Sequence, residues 1–375
     1  ILFHQQFQKL SVYGFGQLFN LVTPLLVVPY IVSVCGEENF GKTAVGMAIA
    51  FFLIVFIDFG SDIIGVREVA INRDNPEVLN KIFTTTYVVK AIILMIVLTV
   101  ASIIFILFPY FKSEKIMFTL GLSVLIGQFL NPTWFLQGIE NVKWITLLNI
   151  VSKCIYLVGI FFTIKKESDY VYINLWWGLG MIVSNFLVFI WIIKKHQFSF
   201  LLVNKDEVFK HIRNDFSMFS SQIFVSLQLY APVVLISYFG NNLMAGQYRI
   251  VEQIIVIFKT YIFLFFNYVF PRVCYLIETD FKRGIKNWLI YNSTNFVMLF
   301  FYFYSYEIVS YFNPTNRYVL SNLLEVAVFI PLILAISIPL KQLVLAFNYK
   351  RFYVYLTSVM VLFNLLAIVF LLPKF

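Results

Sequence analysis

The chain consists of apolar stretches of membrane-spanning length that follow one another almost end to end. Crossing about 30 Å of hydrocarbon takes about 20 helical residues. Eleven segments meet that length: 9–35, 44–65, 83–109, 116–138, 144–164, 170–193, 216–239, 246–271, 288–312, 321–345 and 352–372. In lipid every backbone polar group must be satisfied within its own segment. The pattern therefore predicts an all-α, polytopic integral membrane protein that moves or modifies something at the bilayer.

The composition supports a membrane protein and narrows its chemistry. Hydrophobic residues make up 61% of the chain and charged residues 13%, whereas charged residues make up about 25% of soluble domains. The three cysteines, Cys35, Cys154 and Cys274, are widely spaced, and all three histidines lie outside the apolar segments. This distribution offers neither a disulfide framework nor a cluster of metal ligands. We therefore expect no metal and no cofactor.

The basic residues between the apolar segments are sorted by membrane side. With the N-terminus inside, 16 of the 28 Lys and Arg residues fall at the loops of one side and seven at the loops of the other. The positive-inside rule makes the richer side cytoplasmic. The net charge of +9 thus reflects membrane topology, and we expect no nucleic-acid partner.

The longest polar interruption divides the chain into two lobes. A charged linker over 194–214 predicts an N-terminal lobe of six helices over 1–193 and a C-terminal lobe over 215–375. The lobes share a weak repeat, because PTWFLQGIENVK (132–143) matches PLKQLVLAFNYK (339–350) at four positions. Repeated lobes of one orientation occur in several transporter folds. Since the second lobe shows five helices, we expect twelve in all, with the last one after residue 375.

One eight-residue stretch matches a nucleotide-binding motif letter for letter. GEENFGKT, from Gly36 to Thr43, fits the phosphate-loop pattern G-x-x-x-x-G-K-T. A phosphate loop needs a strand before it and a βαβ unit around it, whereas a membrane segment precedes this stretch and the topology places it outside. We interpret Gly36 and Gly41 as residues that end the first helix and allow a tight turn. They recur as Gly240 and Gly246 in the second lobe.

Five basic residues lie inside the apolar segments. A Lys or Arg at the centre of a membrane helix costs about 2.5–3.5 kcal/mol on insertion scales, so it usually faces a protein interior or an aqueous cavity. The five are Lys90, Lys153, Arg249, Lys259 and Lys341. Lys341 lies near a helix end, and we expect it to snorkel to the interface. The other four are candidate substrate-binding residues, with internally paired structural charges as the alternative.

Fewer acidic residues lie inside the segments, and they are candidates for ion coupling. They are Asp58, Asp62, Glu252, Glu307 and Glu325. Glu252 lies three residues after Arg249 and can pair with it. Glu252 and Asp58 are our candidate coupling residues, although the two aspartates can instead pair with bases at the lobe ends. The excess of positive charge at the deepest positions suits an anionic substrate, for which a lipid diphosphate is the natural candidate.

Three stretches of the first half carry a resemblance to a known family. PYIVSVCGEENFG (29–41), DFGSDIIGVREVAINRD (58–74) and PTWFLQGIENVKWITLLNIVSK (132–153) closely resemble the Wzx-type polysaccharide-unit flippases. These form the O-antigen and capsule branch of the multidrug/oligosaccharidyl-lipid/polysaccharide exporter superfamily. Beyond residue 215 the resemblance extends only to hydropathy and spacing.

The resemblance implies both an architecture and a function. The architecture is two six-helix lobes around a central V-shaped cavity lined by basic residues, in a bacterial inner membrane with the N-terminus cytoplasmic. The function is outward flipping of undecaprenyl-diphosphate-linked oligosaccharide by alternating access, driven by an H+ or Na+ gradient. Lys90, Lys153 and Lys259 would then hold the diphosphate, and Arg249 with Glu252 would gate or couple. Polysaccharide polymerase machinery is a candidate partner.

Two other functions compete with the flippase. A cation-coupled multidrug antiporter of the same superfamily should favour buried carboxylates over buried lysines, and this sequence shows the reverse. A membrane glycan polymerase would need large external loops and acidic or metal-binding motifs, whereas the loops outside the predicted spans are short. We therefore expect a transporter and not an enzyme.

Overall fold

The structure, a computed structural model, is helical wherever it shows regular structure. It describes residues 2–199, 203–256, 259–260, 282, 303–331, 333–334, 337, 355, 359–360, 362–363, 366 and 370, without the side chains of residues 2–15, 17 and 18. Six described helical segments are long and apolar enough to cross a membrane: Phe19–Asp58, Pro76–Leu107, Lys115–Gly138, Val142–Thr163, Glu167–His196 and Lys205–Phe239. The prediction of an all-α polytopic membrane protein is confirmed. Most of the predicted spans after residue 256 lie outside the described residues.

The first helix, α1 (Leu2–Asp58), joins the first two predicted spans through a kink at Gly36. Gly36 has φ 80° and ψ 162°, a conformation that glycine adopts without the penalty a side chain would bring. The predicted helix end and tight turn are wrong: the helix kinks at Gly36 and resumes at once, and Gly41 lies inside the resumed helix. Glu37, Phe40 and Thr43 are buried in the resumed helix. The GEENFGKT stretch is therefore a helix packed into the bundle and not a phosphate loop.

A tight turn and a capped helix start follow α1. Phe59 and Gly60 have φ 43° and 83° and reverse the chain before a π-helical turn (Ser61–Gly65) and α2 (Val66–Ile71). The long helix α3 (Pro76–Leu107) begins where the Asn75 side chain accepts a hydrogen bond from the backbone N–H of Val78 at 3.2 Å. Asparagine at the cap and proline at the first helical position are both favoured at helix starts.

The helices that follow, up to residue 196, form a bundle with both parts of α1. It contains α4 (Pro109–Lys112), α5 (Lys115–Gly121), α6 (Ser123–Phe129), α7 (Thr133–Gly138), α8 (Val142–Thr163), a 3-10 turn (Glu167–Tyr172) and α9 (Ile173–His196). The predicted span 116–138 is broken before α7, because Pro132 has no N–H to continue the helical ladder. There the Asn131 side chain accepts from the backbone N–H of Thr133 at 3.0 Å.

Four helices of the second half are described. They are α10 (Lys205–Phe239), α11 (242–256), α12 (Ser305–Phe312) and α13 (Arg317–Ala327). Helix α10 begins eleven residues before the predicted span 216–239. The connection between α9 and α10 is accordingly 197–204, because both ends of the predicted 194–214 linker are helical.

The second part of α1 packs along α10 and against the start of α11. Phe51 contacts Tyr230 with ring centroids 5.6 Å apart, and Phe56 contacts Phe219 at 5.4 Å. At the end nearest the kink the contact is backbone to backbone. A Cβ added to Gly41 would lie 1.8 Å from the carbonyl oxygen of Asn242, and one added to Gly246 would lie 2.2 Å from that of Glu37. The two glycines that match in the sequence repeat therefore lie at the same helix crossing.

Candidate functional site

Two cavities lie inside the bundle on either side of a group of aromatic rings. The first has a volume of about 220 Å³ and the second about 190 Å³. Phe51 of α1 and Trp177 of α9 line both cavities, with ring centroids 5.8 Å apart. Tyr156 lies 5.1 Å from Trp177, and Tyr230 lies 5.6 Å from Phe51. We call these four rings the aromatic partition.

The first cavity, which we call the arginine cavity, is mostly apolar. Helical spacing brings its lining together, since residues three or four apart share a helix face. Its described lining is Asn20, Thr23, Pro24, Val27, Val28, Ile31, Phe40, Thr43, Ala44, Met47, Phe51, Tyr156, Ile173, Asn174, Trp177, Arg249 and Gln253. Arg249 of α11 is the only charged residue in that set. An anion that enters this cavity therefore meets one fixed cation in apolar surroundings.

Arg249 is held by two neighbours on its own helix. Its Nη1 donates to Glu252 Oε2 at 2.6 Å, so the predicted pairing is confirmed. With the Gln253 amide turned so that its oxygen faces Arg249, that oxygen accepts from Nε at 3.1 Å and Nη2 at 2.9 Å. A guanidinium has five N–H donors, and two of these form no hydrogen bond to the described residues, which leaves them to a ligand. Guanidinium groups match phosphate and carboxylate oxygens in planar, bidentate contacts.

The second cavity, which we call the lysine pocket, is lined mainly by polar side chains. Helix α8 contributes Asn149, Ser152 and Lys153, and α9 contributes Ser184 and Asn185. The segment around the break between α6 and α7 adds further amide and hydroxyl groups, from Gln128, Asn131 and Thr133. Among the described lining residues Lys153 is the only charged one.

Lys153 is placed against an aromatic ring. Its Nζ lies 3.2 Å from the centroid of the Trp177 ring, where the negative face of the indole attracts a cation. Within the described ranges no carboxylate lies in ion-pair distance of Lys153 and no hydrogen bond to its ammonium is formed. The ammonium thus keeps its donors for the pocket that it lines.

Lys90, by contrast, belongs to a closed network. Its Nζ lies 3.0 Å from Asp58 Oδ1, and Lys90 is 1% exposed. The Gln128 amide nitrogen also donates to Asp58, at 3.0 Å to Oδ1 and 2.8 Å to Oδ2. Asn131 donates to the Gln128 oxygen at 3.3 Å. Both oxygens of the Asp58 carboxylate are therefore satisfied inside the bundle.

Next to the kink, where Ile31 and Phe40 line the arginine cavity, a buried carboxylate and an apolar cluster hold several helices together. Glu37, 8% exposed, accepts from Gln247 Nε2 at 3.1 Å through Oε2 and from Asn316 Nδ2 through Oε1. These bonds join α1, α11 and the start of α13. Beneath them lies a buried apolar cluster that includes Ile31 and Leu320. We call the Glu37 bonds and this cluster the seal; the topology predicted from the sequence would put it on the outer side of the membrane.

The predicted site residues occupy three different environments. Arg249 and Glu252 are paired, with Arg249 in the arginine cavity, and Lys153 lines the lysine pocket. Lys90 and Asp58 form the closed network, and the described lining of both cavities omits them. Lys259 is half-buried and is likewise absent from both. Among the described residues, the two cavities thus contain one predicted cation each, and the substrate-binding role of all four cations stays a prediction.

Sequence reasoning missed several polar residues of the site. Glu37 was considered only as part of the GEENFGKT stretch, although it is a carboxylate buried beside a helix kink. Gln253 lies on the same face as Arg249 at a spacing of four, and Asn149 lies four residues before Lys153. A search for uncharged amides at helical spacing from each buried cation would have found both.

The helical fold and the cations that line its cavities define the class of this protein. It is a polytopic membrane protein with internal binding cavities. A solved multidrug resistance MATE family transporter of the MOP superfamily, in its inward-facing conformation, has the same fold. Its TM-score is 0.61 at 17% identity, over 90% of this chain and 82% of that one. The fold is thus one used by membrane transporters.

The family follows from the sequence. The chain belongs to the family described as polysaccharide biosynthesis protein, whose profile matches residues 7–276. Two relatives share the name "Putative O-antigen transporter". The Escherichia coli (strain K12) protein is 20% identical over 71% of this chain, and the Shigella dysenteriae protein is 21% identical over 72%. The chain spans 64% and 68% of the lengths of these two proteins.

Proposed function

We propose that the protein is a flippase for lipid-linked oligosaccharide. It carries undecaprenyl-diphosphate-linked units from the cytoplasmic to the outer leaflet for surface polysaccharide such as O-antigen or capsule. The observation that carries the proposal is Arg249, which lines an internal cavity and keeps N–H donors that the described residues do not engage. We infer that the seal closes this cavity toward the outer side. The family membership and the names of the relatives support the same substrate class.

Arg249 receives the diphosphate in this proposal. The arginine cavity removes competing water from an oxyanion, and charge-assisted hydrogen bonds are strongest in such surroundings. Lys90 acts through its ion pair with Asp58 and does not touch substrate. Lys259 is a second diphosphate ligand, which the substrate reaches as it moves through the bundle. The protein lies in the bacterial inner membrane with a cytoplasmic N-terminus.

Transport proceeds by alternating access around the seal. The seal joins α1 to α11 and α13 by two hydrogen bonds from one carboxylate and by apolar packing. Opening it exposes the arginine cavity to the outer side. Such a transition requires each state to be stabilised by contacts that the other lacks, and the Glu37 bonds are contacts of this kind.

A cation gradient drives the cycle through the buried carboxylates. Glu252 shares Arg249 with the incoming diphosphate, so H+ or Na+ bound to Glu252 frees the guanidinium for the substrate. Asp58 is the second coupling candidate, because a proton on its carboxylate breaks the pair with Lys90. Polysaccharide polymerase machinery receives the product on the outer side.

The test uses the host without this gene, complemented by the full-length chain, by Arg249→Gln or by the surface control Lys210→Gln. Lipid-linked oligosaccharide and surface polymer are measured in the same cultures. We expect lipid-linked units to accumulate and polymer to be lost in the deletion strain, with rescue by the wild-type chain and the control only. Unchanged lipid-linked pools in the deletion strain would refute the flippase.

A cation-coupled multidrug antiporter is the second candidate. The mainly apolar, aromatic lining of the arginine cavity favours it, because such surfaces accept amphipathic drugs. This candidate predicts that the deletion strain changes its sensitivity to drugs or cations while both polysaccharide measurements stay constant.

A further inference from the structure

The lysine pocket is a binding site in its own right, and its chemistry indicates one class of ligand. We propose that it binds an acidic monosaccharide unit of the transported glycan, with the sugar carboxylate on Lys153. This inference rests on the proposed function and deepens it, since it names a property of the oligosaccharide that the family alone does not give.

The charge balance around the pocket requires an anion. Lys153 is the only charged residue among the described lining. The nearest acidic group in the adjoining network, Asp58, is already engaged by Lys90 and twice by Gln128. A buried cation without a counter-charge is costly, and the face of Trp177 compensates it only in part. A ligand carboxylate would complete the balance.

The uncharged lining suits the hydroxyl groups of a sugar. In the described part of the chain Asn149 and Ser152 form no side-chain hydrogen bond to protein, and the Asn185 amide nitrogen alone is engaged, by the carbonyl oxygen of Gly127 at 2.7 Å. The Asn185 oxygen therefore remains free to accept. These groups offer both donors and acceptors, as the hydroxyls of a sugar require.

The size of the pocket suits one sugar unit. Its volume of about 190 Å³ is roughly that of six water molecules at about 30 Å³ each, and a single hexuronate is of comparable size. The aromatic partition separates this unit from Arg249, so the two cations can meet two different anions of one substrate.

The test is calorimetric titration of the purified full-length chain in lipid nanodiscs with three probes. D-glucuronate carries the carboxylate, D-glucuronamide is its neutral counterpart, and inorganic diphosphate represents the lipid headgroup. We expect glucuronate to bind about tenfold or more tightly than glucuronamide, as a charged contact implies. Lys153→Gln should abolish that preference, and Lys153→Arg should keep it. Asn149→Leu should weaken both sugars.

A matched control exists on the surface. Lys195 lies 4.6 Å from the ring centroid of Trp191 and is exposed, so Lys195→Gln removes the same kind of pair without touching the pocket. It should leave the preference unchanged. Equal binding of the two sugars by the wild type, no binding of either, or a preference that survives Lys153→Gln would each refute the inference.

The diphosphate probe separates the two possible sources of the anion. If Lys153→Gln weakens diphosphate binding as strongly as glucuronate binding, Lys153 belongs to the headgroup site and the inference is wrong. The flippase proposal would stand in that case, because it depends on the lipid-linked pools of the deletion strain and not on sugar selectivity.

Discussion

Lys90 and Lys153 look alike in the sequence and lie in opposite environments in the structure. Both are single lysines near the middle of an apolar segment. Lys90 is 1% exposed and pairs with Asp58, which also accepts from Gln128. Lys153 lines a pocket, and its described contact is the face of Trp177. One lysine completes a network, while the other leaves a charge uncompensated.

The difference shows that depth in the membrane does not determine what a buried charge does. Placing a charged lysine at mid-membrane costs about the same free energy at both positions. Each ammonium therefore needs an interaction that offsets this cost. The ammonium of Lys90 pairs with Asp58, so Lys90 stabilises the fold. The ammonium of Lys153 is offset only in part by Trp177, so Lys153 is available to a ligand.

The largest expected effect is on stability, at the Lys90 network. Lys90→Met should lower the free energy of unfolding by about 3–5 kcal/mol, because it leaves the Asp58 carboxylate buried without a counter-charge. Thermal unfolding of the purified protein in detergent measures this, with Lys153→Met as the matched variant. Lys153→Met should unfold at the wild-type temperature or above it, because it removes a buried charge that the protein compensates only in part. If both variants lose the same amount of thermal stability, the proposed difference between Lys90 and Lys153 is wrong.

The next effect is on transport, at Lys153. Lys153→Glu should reduce export about a hundredfold, because a charge-assisted contact of about 1.5–3 kcal/mol becomes a repulsion. Surface polymer is scored in the complemented deletion strain, together with the amount of inserted protein, which should not change. Lys195→Glu is the control. Normal export by a well-expressed Lys153→Glu protein would remove Lys153 from the substrate path.

A smaller effect tests whether Gln128, which lines the lysine pocket and also donates to Asp58, acts mainly on stability or on the ligand. Gln128→Leu should lower the free energy of unfolding by about 1.5 kcal/mol, because Asp58 loses a donor but keeps Lys90. Glucuronate should bind this variant as it binds the wild type. A loss of sugar binding without a loss of stability would assign Gln128 to the pocket instead.

The smallest effect compares the two lysine–tryptophan contacts. Lys153 Nζ lies 3.2 Å from the Trp177 centroid, whereas Lys90 Nζ lies 6.0 Å from that of Trp134. Double-mutant cycles with Lys→Met and Trp→Phe isolate each pair. We expect a coupling energy of about 1 kcal/mol for Lys153–Trp177 and close to zero for Lys90–Trp134. A larger coupling energy for Lys90–Trp134 than for Lys153–Trp177 would contradict this prediction.

The sequence predicted those parts of the structure that depend on local spacing. Hydropathy located the helices in the described part of the chain, and a spacing of three residues located the Arg249–Glu252 pair. Gly36 marked the place where α1 kinks, although a helix end was expected there. The same reasoning could not separate Lys90 from Lys153. Asp58 is 32 residues from Lys90 and 70 residues from Gln128, so their meeting depends on how three helices pack. Pairs within one helix can be found from sequence, whereas pairs between helices require the fold.

The helix crossing at Gly41 and Gly246 restricts which amino acids these two positions can accept. Because the helices touch through backbone atoms, no side chain is present there to yield or to repack around a substitution. Even a methyl group at either position would hold α1 and α11 apart next to Glu37. In a library of all single substitutions, these two positions should tolerate glycine alone, while the exposed helix faces accept most residues.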